Sequence, residues 1–118
     1  MARCRLQGHC CSHPYHWHEK SEEVFVILHG SALLRTPEGI TRVKEADIAV
    51  FPTGPEGAHQ LYNDGDADLE HLDLGTLEAG DICHYPDSGK TNDLDRGIIR
   101  KGNEIVSYYE GEDSPCWP

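Results

Sequence analysis

Between His16 and Gly30 the chain reads His-Trp-His-Glu-Lys-Ser-Glu-Glu-Val-Phe-Val-Ile-Leu-His-Gly. Alternate residues of an extended strand project to the same side, so His16 and His18 present their rings together. Neutral imidazoles and a carboxylate form a ligand set for a divalent first-row metal. Glu22 and Glu23 both follow within one short connection, but neighbouring strand residues face opposite ways and only one can join the histidines. Glu23 is the expected ligand, because Phe25 and Ile27 share its face and carry it towards an apolar interior. Val24, Val26 and Leu28 fill the other face. A strand apolar on both sides lies mid-sheet, one face lining a barrel and the other covered by a second sheet or another chain.

The rest of the chain suits such a barrel. Long helical periodicity is absent, and short apolar runs alternate with turns, the pattern of an antiparallel sandwich or barrel. Strands are expected over Ser12 to His18, Glu23 to Leu28, Ala32 to Thr36, Ile40 to Lys44, Ile48 to Phe51, Ala58 to Tyr62, Ala67 to Leu74 and Asp81 to Tyr85. Arg3 to Leu6 is a weaker candidate, short and charged. Pro86 to Arg96 reads as a polar loop, and Gly97 to Tyr109 as a final hairpin. In Pro52-Thr53-Gly54-Pro55-Glu56-Gly57, two prolines and two glycines interrupt any ladder, so a structured loop is expected. His59 follows that loop and opens a strand. Three imidazoles and one carboxylate would leave a divalent ion with a net charge of about +1 and, if octahedral, two open positions. A structural metal would have a closed shell, so this set leans towards function.

On these residues the chain resembles the cupin superfamily. The first cupin motif runs Gly-x5-His-x-His-x3 or x4-Glu-x6-Gly. His16, His18, Glu23 and Gly30 fit it, while Cys10 stands at the opening glycine. The second motif runs Gly-x5-Pro-x-Gly-x2-His-x3-Asn. Pro52, Gly54, His59 and Asn63 fit, Ala46 replaces the first glycine, and the gap from Gly54 to His59 is two residues longer. That longer loop, with Pro14 to His18, Tyr85 to Lys90 and Tyr108 to Glu112, resembles a bacterial subgroup of small single-domain cupins often labelled sugar-phosphate-isomerase-like. The resemblance implies an all-β double-stranded β-helix, or jelly-roll, barrel. It also implies a divalent metal (iron, manganese, zinc or nickel) held by His16, His18, Glu23 and His59. Phe25, Ile27 and Leu61 are expected to wall the substrate pocket. One domain over residues 1–118 is expected, with its core at about 12–85 and a C-terminal hairpin and tail at about 97–118.

Composition removes other classes. A net charge of −11 over 118 residues repels nucleic acid and anionic membranes. No apolar run approaches the roughly 18 residues of a membrane-spanning helix. Met1 to Gly8 lacks a signal peptide's apolar core, which points to the cytoplasm. The five cysteines would stay free thiols there. Cys4, His9, Cys10, Cys11 and His13 cluster without ordered ligand spacing, and Cys83 and Cys116 carry no pattern.

Of the remaining candidates, Tyr85 to Lys90 could cup an anion with Ser88, Gly89 and Lys90. A surface turn is the simpler reading. His29 and His71 read as structural or exposed, and His84 could reach a cleft. Trp17, between two inward ligands, should point outward and pack. Asp64, Asp66 and Asp68 lack the spacing of a calcium loop.

The expected function is to bind or act on a small metabolite, such as a sugar or sugar phosphate, through the metal. A cupin dioxygenase and a non-catalytic sensor are the alternatives, since fold does not fix reaction type. The apolar outer face of Glu23 to Leu28 calls for a cover, so a homodimer is expected.

Overall fold

The computed structural model describes residues 1–112. Thirteen strands follow in order: β1 (Ala2–Leu6), β2 (Cys10–Cys11), β3 (Trp17–His18), β4 (Glu23–His29), β5 (Ser31–Thr36), β6 (Gly39–Lys44), β7 (Ile48–Phe51), β8 (Gln60–Asn63), β9 (Leu69–Gly75), β10 (Ile82–Tyr85), β11 (Lys90–Asp93), β12 (Ile98–Lys101) and β13 (Glu104–Ile105). A 3-10 turn, Pro55–Gly57, sits between β7 and β8. The strands pair antiparallel in three sheets, ordered β1-β9-β4-β7, β2-β8-β5-β6 and β13-β12-β11-β10-β3. An additional bridge between His16 and His59 ties two of the inter-strand segments. The fold is an all-β jelly-roll barrel.

β4 is central in its sheet, flanked by β9 and β7, as its two apolar faces require. Strand parity then sorts the core. Phe25 and Ile27 point inward and join Ala32, Leu34, Val43, Phe51, Leu61 and Leu69 in one buried cluster. Full burial of each large member contributes about 1.5–3 kcal/mol. In β9 the inward set is Leu69, His71 and Asp73, with Leu69 and His71 buried. On the outer side of the same sheet, Val24 pairs with Val50 and Leu74, and Val26 with Ile48 and Leu72. Ile48 and Val50 are exposed, so this face is an apolar surface.

The structure departs from the expected elements in three places, and it makes a full strand of a weaker candidate. Arg3 to Leu6, weak as a sequence, forms β1 by pairing along β9, with Arg3 and Arg5 beside Glu70 of that strand and Arg5 beside Asp68 just before it. Ser12 to His18 is not one strand: Pro14 interrupts the ladder, and pairing resumes with the His16–His59 bridge and then β3. The segment 86–96 is not a loop throughout. It contains β11, whose Lys90 is buried. The last hairpin stops pairing at Ile105 instead of running to Tyr109. Cys116 lies outside the described residues.

Two turns need glycine-like backbone. Gly30 has φ +90°, and a Cβ there would stand 3.1 Å from the Asp68 carbonyl oxygen. Ala46, at the position of a motif glycine, takes φ +74° in the β6–β7 turn, where an L-residue pays about 1 kcal/mol or more.

Candidate metal centre

His16, His18 and His59 come from separate segments and each turns its ring towards Glu23. The Nε2 atoms of His16, His18 and His59 lie 3.4, 2.9 and 3.2 Å from Glu23 Oε1. All four residues are buried or nearly so. Glu22, the rival carboxylate, is exposed, and its backbone N–H donates to the Thr76 hydroxyl.

The other nitrogen of each ring is engaged. His16 Nδ1 donates to the Pro14 carbonyl at 2.8 Å, and His59 Nδ1 to the Gly57 carbonyl at 2.8 Å. His18 Nδ1 donates to Asp81 Oδ2 at 2.7 Å. These acceptors assign the proton of a neutral ring to Nδ1, which leaves every Nε2 lone pair aimed at the centre. Three nitrogen lone pairs and a carboxylate oxygen at about 3 Å repel one another unless a positive charge sits among them. Glu23 Oε1 and His59 Nε2 are indeed buried without a hydrogen-bond partner. The donor set fits a divalent metal ion.

The charge states follow the same logic. Burial works against ionisation of Glu23, but the three rings outweigh it and hold the carboxyl well below the usual range. Burial lowers His16, a direction that the Glu23 contact only partly offsets. At His18 burial also acts downward, yet Glu23 and Asp81 together carry the ring above its ordinary value. Asp73, inward on β9, is pushed up to about 7 by burial and by the adjacent Glu23 charge.

The Pro/Gly loop explains how His59 arrives. The two extra residues relative to the motif are absorbed by the 3-10 turn. Gly54 N–H donates to the His18 carbonyl at 2.9 Å, and the backbones of His16 and His59 exchange hydrogen bonds of 3.2 and 3.0 Å. Gly57 is obligatory, because a Cβ there would lie 1.8 Å from the Pro52 carbonyl oxygen. Asn63, the last motif residue, is buried and donates to the Leu6 and Ala67 carbonyls, so it fastens the following turn to β1.

A cavity of about 490 Å³ opens onto the cluster, walled by His13, Asp73, Cys83, Tyr85, Asn92 and Tyr108 among others. No lysine or arginine of the described residues lines it. Phe25 instead faces a neighbouring cavity beside His71 and Asp73, while Ile27 and Leu61 are buried in the core cluster. Asp73, Asp81, Cys83, Tyr85 and Tyr108 escaped the sequence reading. Tyr85 and Tyr108 stood there only within the segments of the resemblance, and Cys83 without a pattern.

The chain matches the Cupin domain family over residues 2–75. The chain belongs to the cupin family. A cupin-superfamily sugar phosphate isomerase from Silicibacter pomeroyi superposes with a TM-score of 0.73 at 22% identity, covering 98% of this cupin and 69% of that chain. A protein from Acidithiobacillus ferrooxidans, provisionally named a sugar phosphate isomerase, gives 0.73 at 24% identity over the same shares. A predicted oxalate decarboxylase from Thermotoga maritima gives 0.51 at 23% identity, covering 64% of each chain. Likeness at this identity establishes the fold alone. No curated protein matches.

The remaining candidates resolve as follows. Trp17 stacks on His84 at 4.0 Å between ring centroids, and His84 Nε2 meets Glu19 at 2.6 Å, so His84 serves this outer contact and not a cleft. His29 is exposed beside Glu45. His71 is buried against Phe25, and burial pulls its ring below the ordinary histidine range. Asp64, Asp66 and Asp68 pair with Arg42, His9 and Arg5. Lys90 is fully buried: its ammonium meets Glu112 at 2.7 Å and donates to the Tyr108 carbonyl, so it is spent internally and does not wait for a phosphate. Cys4, Cys10 and Cys83 are free thiols, but Cys11 is disulfide-bonded, contrary to the expectation of free thiols throughout.

Proposed function

We propose that this cupin binds a small, hydroxyl-bearing metabolite through a divalent metal held by His16, His18, Glu23 and His59, and acts on it by proton transfer. The carrying observation is the convergence of three Nε2 lone pairs on Glu23 Oε1, each ring fixed from behind by a carbonyl or carboxylate. The bound metal would polarise a carbonyl or hydroxyl of the ligand. The chain's own groups supply the rest. Tyr85 and Tyr108 wall the cavity with aromatic surface, and Asp73 is placed beside Glu23 to take or return a proton. The two isomerase names among the structural neighbours support this class.

Between a sugar and a sugar phosphate, the lining favours the unphosphorylated ligand. A phosphoryl dianion entering this cavity would meet Glu23 and Asp73 and no lysine or arginine of the described residues. The apolar outer face formed by Val24, Val26, Ile48 and Val50 supports a homodimer, checked by sedimentation at micromolar concentration.

Metal analysis of untagged protein tests the reading. Close to one equivalent of a first-row metal is expected, lost in His16→Ala; less than about a tenth of an equivalent in the native protein refutes it. Turnover of an aldose to a ketose, abolished by Asp73→Asn, would establish the reaction. Oxygen uptake by the iron form would replace isomerisation with dioxygenation.

A further inference from the structure

The cluster contains a sulfur donor as well. Cys83 stands directly opposite His18 in the β3–β10 pair, and cross-strand partners project to the same face. Its side chain therefore enters the barrel with His18, and it is 2% exposed. The ligand atoms of His16, His18 and Cys83 all lie within 4.8 Å of one another, as do those of His16, Glu23 and His59. Two ligands of one zinc-sized ion sit at most about 4.4 Å apart, so each triad taken by itself comes within a few tenths of an ångström of that requirement, and the two overlap at His16. The triads share His16 and differ in hardness. One offers oxygen and nitrogen, the other nitrogen and sulfur. His59 Nε2, 1% exposed in side chain and without a hydrogen-bond partner, points to Glu23 Oε1 in the oxygen and nitrogen triad, which shares His16 with Cys83.

We propose that Cys83 is a further ligand of the metal, joining through its sulfur and turning the centre towards thiophilic ions. This rests on the metal reading above. On binding, the Cys83 S–H bond breaks, the proton leaves to solvent, and the sulfur electron pair forms the bond to the ion; no oxidant or reductant takes part. Thiolate selects softer ions such as zinc, cobalt or cadmium over manganese. A buried thiol acting only as a small apolar filler would have no such effect.

Cobalt(II) titration of the metal-free protein tests the assignment. Native protein should show a sulfur-to-cobalt charge-transfer band in the near ultraviolet. Cys83→Ser should lose that band yet keep the visible cobalt bands of the histidine and carboxylate ligands. The preference for cadmium over manganese should fall at least about ten-fold in the variant. Cys4→Ser and Cys10→Ser should leave the spectrum unchanged. Stoichiometric cobalt without the charge-transfer band overturns the proposal and leaves the histidine–glutamate site standing. Failure to bind cobalt at all overturns both. If Cys83→Ser does not fold, X-ray absorption of zinc-loaded native protein decides, since a sulfur scatterer at about 2.3 Å is either present or not.

Discussion

Asp81→Asn changes one atom type and leaves the shape of the side chain intact, so it isolates the orientation of His18. Asp81 is 2% exposed. Its Oδ2 accepts from His18 Nδ1 at 2.7 Å, and its Oδ1 accepts from the Lys20 backbone N–H at 2.8 Å. A carboxylate accepts at both of its ends; an amide accepts at one end and donates at the other. If the amide oxygen keeps Lys20, its NH₂ faces His18 Nδ1, the ring proton moves to Nε2, and the lone pair needed by the metal is blocked. If the amide turns over, the Lys20 N–H is left facing a donor in a buried place. Loss of such an orienting partner lowers metal affinity by about 10- to 100-fold, or roughly 1.4–2.7 kcal/mol. Loss of the charge-assisted hydrogen bond should also lower stability by about 1–3 kcal/mol. The assay is a competitive titration of zinc against a chromophoric chelator, with imidazole nitrogen chemical shifts reporting the His18 tautomer. An affinity within about two-fold of native protein, with His18 still protonated at Nδ1, would refute the reasoning.

Three further outcomes are expected. Ala46→Gly should stabilise by about 0.5 kcal/mol, because φ +74° suits glycine and the relief exceeds the added chain entropy; a small rise in the urea midpoint checks it. Gly57→Ala should cost more than about 3 kcal/mol and release zinc, since the new Cβ collides with Pro52 and the Gly57 carbonyl that orients His59 must move; a melting temperature within about 2 °C of native would contradict this. His71 has its folded value lowered by burial, so below about pH 6.5 the unfolded chain takes a proton that the native protein refuses. Stability should therefore fall as pH drops through that region, by at most about 1.4 kcal/mol per pH unit from this group. His71→Leu should flatten that part of the profile in urea titrations.

The spacing of His16, His18 and Glu23 was legible because strand parity is a local rule. His59 was legible through its loop, although the 3-10 turn that absorbs the two extra residues was not. Asp81 and Cys83 could not be read, since each acts through a partner more than sixty residues away and no local pattern marks it. β11 was hidden for a similar reason. Its Lys90 looks like a surface residue until Glu112 is placed against it. Strand parity puts Leu69, His71 and Asp73 on one face of β9, but only packing decides that Leu69 and His71 turn inward.

The Lys90–Glu112 contact makes completion of the chain a condition of folding. A buried ammonium deprived of its partner costs about 3–5 kcal/mol, a large part of what a domain of this size has in hand. A chain that stops between β13 and Glu112 has every strand described above, together with His16, His18, Glu23, His59 and Cys83, yet must either solvate that ammonium or stay open. Fragments ending there are therefore expected to be degraded instead of accumulating as partly assembled barrels that sequester metal.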